Sequence, residues 1–490
     1  MDHGLIALER TRPMTLRNQG PSRHVAVVGG GLAGLAAAVA FCEHGWQVDL
    51  FEARRQLGGR AGSYYDSTTG EVTDHCQHVS LGCCTNFQDL CRRTGMTKFF
   101  RRDRELTFIG PAGKRSTVRA VQWLPAPLHL GPGLLQLRHL PFSERIAIAR
   151  TLWRLARIPL AAVPEAGNME QWLESQGATR RAQDDFWSVI LVSALAERLD
   201  RISLADGRKV LVEGFMANTS GYELQIPTVP LGKIYQEHLV QWLAKRAAIC
   251  QLATPVRRII LDKSAVQAVE LDNGSQRRFD GYVLAIPWRR VREVILEPPS
   301  QLTAQWAGIS QIESSPITGV HLRFDRPITD LPHAVIVGRL SQWFFNHGAQ
   351  TAADPRSPAG HYYQVVISAS RNLDVQSRNA VIAQVQDDLR SIFPAARGAN
   401  LIHSRLITQR DAVFVIPPDV FGCRPAQRTP LDNLALAGDW TDTGWPATME
   451  GAVRSGYLAA EVLLRAHGHR PSVLVTDQPY GWLARWLLRR

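Results

Sequence analysis

The sequence predicts an α/β fold, in which a parallel sheet assembled from distant pieces of the chain carries a second, α+β domain as an insertion. Three observations predict it. Residues 24–52 run as strand, glycine turn, helix and strand. Residues 433–464 repeat the strand–loop–helix order near the other end of the chain. The long middle between them is irregular, alternating mainly helical stretches with short strands.

Residues 24–28 (HVAVV) are a continuous apolar, β-branched run of the kind buried on both faces of a parallel sheet. The turn at residues 29–34 (GGGLAG) follows at once. Leu32 to Glu43 reads as a helix of small residues, stopped by Gly45. Residues 47–52 (QVDLFE) make a second strand, completing one βαβ unit in about thirty residues. In the middle, residues 105–109 read as a short strand. Residues 134–245 read as mainly helical, broken at Pro159, Pro164, Gly177 and 214–230. Residues 265–271 and 281–286 read as strands flanking Asn273-Gly274, a hairpin signal. Residues 317–325 and 361–369 are expected in a second sheet. There is no internal repeat and no low-complexity tract.

A chain of 490 residues, 45% hydrophobic and 20% charged, has the composition of an ordinary globular protein of two intertwined domains. No window approaches the roughly 18 apolar residues of a membrane-spanning helix. Residues 1–23 mix charges, Pro and Gly and read as a flexible arm, not an export signal. Seven scattered cysteines without CxxC or Cys/His spacing indicate free thiols in a reducing compartment and no metal site. The formal charge of +12 suits an anionic membrane or acidic substrates. Nucleic acid is the weakest partner, because no zinc finger or RNA-recognition signature accompanies the charge.

The chemistry begins at Gly29, Gly30, Gly31, Leu32, Ala33 and Gly34. A pyrophosphate approaches the backbone closely where Gly31 has no β-carbon, and the following helix presents unpaired N–H groups to it. Glu52 ends the second strand, where a carboxylate accepts both hydroxyls of an adenosine ribose. This Rossmann-type pattern serves NAD or FAD equally. Residues 53–60 (ARRQLGGR) separate the two: Gly58 and Gly59 allow a second pass over phosphate, and Arg60 pairs with phosphate or with a flavin edge. An NAD enzyme has no use for that loop. The E-A-x-x-x-x-G-G-R pattern of residues 52–60 resembles the FAD-binding start of the amine oxidase and phytoene desaturase superfamily.

Two further blocks, residues 74–82 (DHCQHVSLG) and 436–456 (LAGDWTDTGWPATMEGAVRSG), resemble the squalene-associated FAD-dependent desaturase family. The resemblance implies FAD as cofactor, held by Gly29 to Gly34, Glu52, Ala53, Arg54, Gly59, Arg60 and Gln77, and by Gly438, Asp439, Met449 and Ala452. Asp439 is then expected at the ribityl–pyrophosphate, the helix opening near Met449 at the flavin's N1–C2=O edge, and the Val256 backbone at the adenine. One departure is Cys76, where relatives are expected to carry glycine.

The implied activity is reduction of hydroxysqualene to squalene and water by hydride from reduced flavin. It needs a general acid, a dry tunnel and few nucleophiles that could trap a cation. His78 and Asp74 are the candidate acids. A carotenoid-type desaturase or isomerase, a soluble amine oxidase and a flavin-bound scaffold are the rival readings. Residues 24–98, 231–290 and 426–470 are assigned to the FAD domain, and 99–230 and 291–425 to the substrate domain. A C30 isoprenoid lives in the bilayer, so the enzyme is expected in the cytoplasm, peripheral at the inner face of the membrane, beside the synthases of squalene formation. Membrane contact is expected through residues 145–158, where Arg150, Arg154 and Arg157 oppose Ile148, Leu152 and Leu155, with packing on its own domain as the alternative reading. It is also expected through residues 481–490 of the basic amphipathic tail at 471–490, with Trp482 and Trp486 beside Arg485, Arg489 and Arg490.

Overall fold

A computed structural model of the chain describes residues 23–159, 163, 167–262, 264–348, 359–420 and 422–488. The expected flexible arm, apart from Arg23, and the final arginines Arg489 and Arg490 lie outside them.

The strand His24–Val28 is apolar because it lies at the centre of a five-stranded parallel sheet. Gln47–Phe51 pairs with it on one side and Gly281–Leu284 on the other. Ile249–Gln251 and Leu434–Leu436 form the two edges. The helix Leu32–Glu43 buries ten consecutive residues from Leu32 to Phe41, which a surface helix would not. It is sandwiched between this sheet and the helix Met449–Ala466. Small residues are required at that crossing: a Cβ on Gly456 would lie 2.1 Å from Ala33 O.

The hairpin expectation needs correcting. Asn273-Gly274 turns the chain from Val266–Leu271 into the two-residue strand Gln276–Arg277, not into residues 281–286. Gly281–Leu284 is buried at all four positions and fills the slot beside His24–Val28. An apolar run with no exposed face belongs inside a parallel sheet.

The second sheet has seven strands, in the order Leu401–Val415, Glu313–Phe324, His361–Ser368, Trp343–Asn346, His333–Ile336, Leu106–Ile109 and Arg115–Val118. Its pairs are antiparallel except His333–Ile336 with Leu106–Ile109. Alternation divides its faces. Phe344, Ile336 and Val365 pack towards the helix Arg378–Ile392, whereas Phe345, Val335 and Val366 pack towards a layer of helices. In that layer the helix Phe142–Ala156 buries Ile148, Thr151 and Leu155 and exposes Arg150 and Arg154. Its apolar stripe is therefore spent on the protein's own core. The tail is tied down as well. Glu461 accepts from Val473 N (2.8 Å) and Leu474 N (3.0 Å), and Ala484 and Leu488 are buried. Among the described residues no helix is long and apolar enough to cross a membrane.

Candidate active site

The C-terminal ends of the parallel strands open into a cavity of about 720 Å3 that continues between the seven-stranded sheet and the helical layer. Its first wall is the glycine turn. Gly29 leaves the first strand at φ +111°, with Ala285 O only 2.2 Å from where a Cβ would lie, so no other residue fits. Gly31 is different. Its backbone is extended, and no atom lies within 4 Å of its absent Cβ. This open cradle faces the cavity, with Leu32 and Ala33 beside it. The helix that starts here has no side-chain cap and no acidic residue in its first turn, so its N–H groups are free to meet an anion. Gly30 and Gly34 do not line the cavity; Gly30 N donates to Glu52 Oε2 (2.7 Å). Glu52 Oε1 accepts from Arg54 N (2.8 Å), so both oxygens are fixed at the cavity edge, each with a lone pair to spare for a hydroxyl. Ala53, Arg54 and Val256 extend this wall.

The second glycine turn is locked to the first, because Gly58 N donates to Gly30 O (2.8 Å). Gly59 and Arg60 line the cavity beyond it, opposite Gly438 and Asp439. Arg60 forms an ion pair with Asp439, so the two ends of the chain meet across the site. Partly buried Arg424, which no motif flagged, holds the loop after Asp439. It donates to the carbonyls of Asp439 and Trp445 (2.8 Å each) and to Thr443 Oγ1 (3.0 Å). Met449 and Ala452 line the cavity at the start of the last long helix, capped by Thr448. Glu450 turns away. It is buried and accepts from Phe87 N (2.8 Å) and Asn86 N (3.1 Å), capping the helix Thr85–Thr94. Arg454 makes a structural ion pair with Asp477 (2.7 Å). An open cradle, an uncapped helix N-terminus at Leu32 and the Glu52 carboxylate at the cavity edge fit a dinucleotide.

Beyond Arg60 the wall becomes Cys76, Gln77 and His78. Gln77 Nε2 donates to His78 O (3.0 Å). His78 Nδ1 donates to Cys76 O (3.0 Å), which leaves Nε2 as the nitrogen available to a guest in the cavity. Burial, helped by the nearby His75 and Arg60, pushes the imidazole down to about 4, so it is neutral at pH 7. Cys76 keeps an ordinary negative φ, so the departure from glycine is accommodated without backbone strain. Burial raises its thiol to about 12, which keeps it protonated and a poor nucleophile.

Asp74 stands apart from the lining residues. Its Oδ1 accepts from Ser63 Oγ and from Leu231 N (2.8 Å), joining the strand pair Ser63–Asp66 and Glu71–Asp74 to the segment at Leu231. Burial raises the carboxyl from 3.8 to about 7 despite these donors. Its contribution to stability is therefore full below pH 4 and lost as pH rises towards 7. Asp74→Asn keeps the acceptor and is expected to flatten that slope. Asp74→Ala orphans Leu231 N–H and is expected to cost about 1–3 kcal/mol. Thermal melts of the three proteins from pH 4 to 8 check both; a wild-type slope in D74N would count against the assignment.

The far half of the cavity is apolar. Trp343 and Phe345 stack at 5.6 Å on one sheet face, with Phe108, Val335 and Val366 around them and Ile190 and Phe215 opposite. Sequence reasoning expected a dry tunnel but named none of these residues, although the alternation of Trp343 and Phe345 around Phe344 is its signature.

The pattern of the family described as flavin containing amine oxidoreductase matches residues 32–464. Hydroxysqualene dehydroxylase of Sinorhizobium fredii is 28% identical over 458 residues, covering 90% of this chain and 98% of its own length. Zeta-carotene desaturase of Synechocystis sp. is 24% identical over 493 residues, covering 93% and 100%. Among solved structures, putrescine oxidase bound to putrescine superposes with a TM-score of 0.66 at 17% identity, covering 91% of this chain and 99% of that one, a likeness of fold.

Proposed function

We propose that this chain, which belongs to the flavin-containing amine oxidoreductase family, is a hydroxysqualene dehydroxylase that forms squalene. Family membership makes it an FAD-dependent oxidoreductase of Rossmann-type α/β fold; the reaction and the residue roles are the proposal. The observation that carries it is the continuity of the cavity, whose dinucleotide wall passes at His78 into an apolar chamber.

FAD, when bound and reduced, supplies the hydride. Gly31 and the N–H groups of Leu32 and Ala33 would hold the pyrophosphate, Glu52 the adenosine ribose, the Val256 backbone the adenine, and Arg60, Asp439 and the N-terminus of the helix at Met449 the flavin half. The chamber of Trp343, Phe345 and Phe108 orients the C30 chain and excludes water. His78 Nε2 bonds the allylic hydroxyl and, once protonated, gives its proton to that oxygen, so that the C–O bond breaks as water leaves. The allylic cation meets aromatic faces and a protonated thiol, none of which traps it. Asp74 is a positioning residue in this scheme, through its hold on Ser63 and Leu231. The substrate would come from the membrane-associated synthases of squalene formation, on the cytoplasmic face.

Anaerobic incubation of the purified FAD-loaded enzyme with hydroxysqualene and a chemical reductant is expected to yield squalene. Desaturation of a carotene with no squalene formed would replace this reading with the desaturase one. That second reading draws on neutral His78, which suits a base better than an acid. A charged amine is a poor fit to the chamber, because among the described residues no carboxylate lines its apolar half.

A further inference from the structure

Of thirteen tryptophans, three are exposed: Trp123 at 80%, Trp482 at 65% and Trp486 at 86%. They share one neighbourhood. The short helix Trp482–Leu487 buries Ala484, and Leu488 follows on the same face. These small and aliphatic residues join a cluster with Ala126, Ala156, Val212, Ala217 and Tyr480. Trp482 and Trp486, four residues apart, therefore occupy the outer face together, with exposed Arg485 beside them. Trp123 precedes Ala126, whose Cβ lies 3.3 Å from where a Cβ on Gly481 would be. A helix packed for stability alone would bury its tryptophans and expose its alanine, and here the order is reversed.

The same face is basic. Arg157 is exposed and its guanidinium sits 5.6 Å over the ring of Trp153, which packs against this cluster. Glu213 near this face accepts from Tyr480 Oη (2.6 Å). The face also abuts the cavity. Phe215 lines the chamber, Met216 packs on the tail cluster, and Ala217 O accepts from Gly481 N (2.8 Å).

We infer that Trp123, Trp482 and Trp486 dock the protein on an anionic lipid bilayer and bring the Phe215 side of the chamber against it. Indole rings rest at the headgroup level, with an apolar body and a polar N–H, and Arg157 and Arg485 answer anionic headgroups. The contact is thus placed on the loop at Trp123 and the outer face of the tail helix, because the stripe of Phe142–Ala156 is already buried. The inference rests on the apolar-substrate reading for its purpose, but not for its test.

The test is sedimentation of the FAD-loaded full chain with vesicles of phosphatidylglycerol and phosphatidylcholine, without substrate. Wild type is expected to pellet with anionic vesicles, more weakly at high salt, and to have its tryptophan fluorescence quenched by brominated lipid. The triple variant Trp123→Ser, Trp482→Ser, Trp486→Ser is expected to lose at least tenfold in binding. It should keep its flavin absorbance, melting temperature and turnover of detergent-dispersed hydroxysqualene. Equal pelleting of the variant, no pelleting of wild type, or a change only in oligomeric state, which would put a second copy on this face, overturns the inference. Wild type that binds vesicles but makes no squalene would sink the proposed reaction and leave the docking face standing.

Discussion

Replacing Gly31 by valine is expected to leave a folded protein that no longer holds FAD. The backbone at Gly31 is extended (φ −75°, ψ 177°), a conformation that β-branched residues adopt readily, and nothing lies within 4 Å of the added Cβ. Folding therefore has no objection. The new side chain projects into the cradle where a pyrophosphate must come within hydrogen-bonding distance of helix N–H groups. Separating phosphate from backbone by a methyl-bearing carbon removes those bonds, and affinity should fall at least ~100-fold, about 3 kcal/mol. Gel filtration followed by flavin absorbance reads the loss, and a melt of the cofactor-free protein reads the fold. A variant as yellow as wild type would mean the dinucleotide lies elsewhere. Gly29→Val is the control of opposite kind: with Ala285 O in the way at positive φ, it should fail to fold.

His78→Ala should keep its flavin spectrum and lose about 10²–10⁴ in kcat, the usual worth of a positioned acid or base. The pH profile identifies which of the two it is. His78 is held down to about 4, so between pH 7 and 5 its protonated fraction rises about tenfold per unit. A dehydroxylase that needs the imidazolium should speed up on acidification with that slope. A desaturase that needs the free base should stay flat until pH approaches 4 and slow below it. In His78→Ala the slope should vanish. A slope that survives the substitution would move the titrating group elsewhere.

Legibility followed locality. The βαβ unit could be read because strand, glycine turn, helix and Glu52 are contiguous, and Asp439 because Gly438 and the Met449 helix sit beside it. The chamber was opaque because Phe108 meets Val335 only through a strand pairing that spans more than two hundred residues, and Phe345 and Val366 join them through neighbouring strands of the same sheet. Gly281–Leu284 was misread for the same reason: next to Asn273-Gly274 an apolar run looks like a hairpin arm, and only its distant partner Val25–Val28 shows otherwise. The two candidate acids were indistinguishable by type. What separates them is that His78 faces the cavity while Leu231 N–H claims Asp74. The hold of Arg424 on the loop after Asp439 left no trace, since a lone arginine outside any pattern carries no signal.

The placement of Gly281–Leu284 between the first strand and Leu434–Leu436 has a consequence during synthesis. Once Phe51 has left the ribosome, one edge of Val25–Val28 stays bare until Gly281 is made about 230 residues later, which at ~5–20 residues per second is about 10–50 s. Through that interval the nascent chain displays an unpaired apolar β-edge, the structure most prone to pairing with a neighbour. A cofactor cleft that closes only with the last long helix leaves that edge uncovered for most of synthesis, and fragments that stop short of Gly281 keep it uncovered.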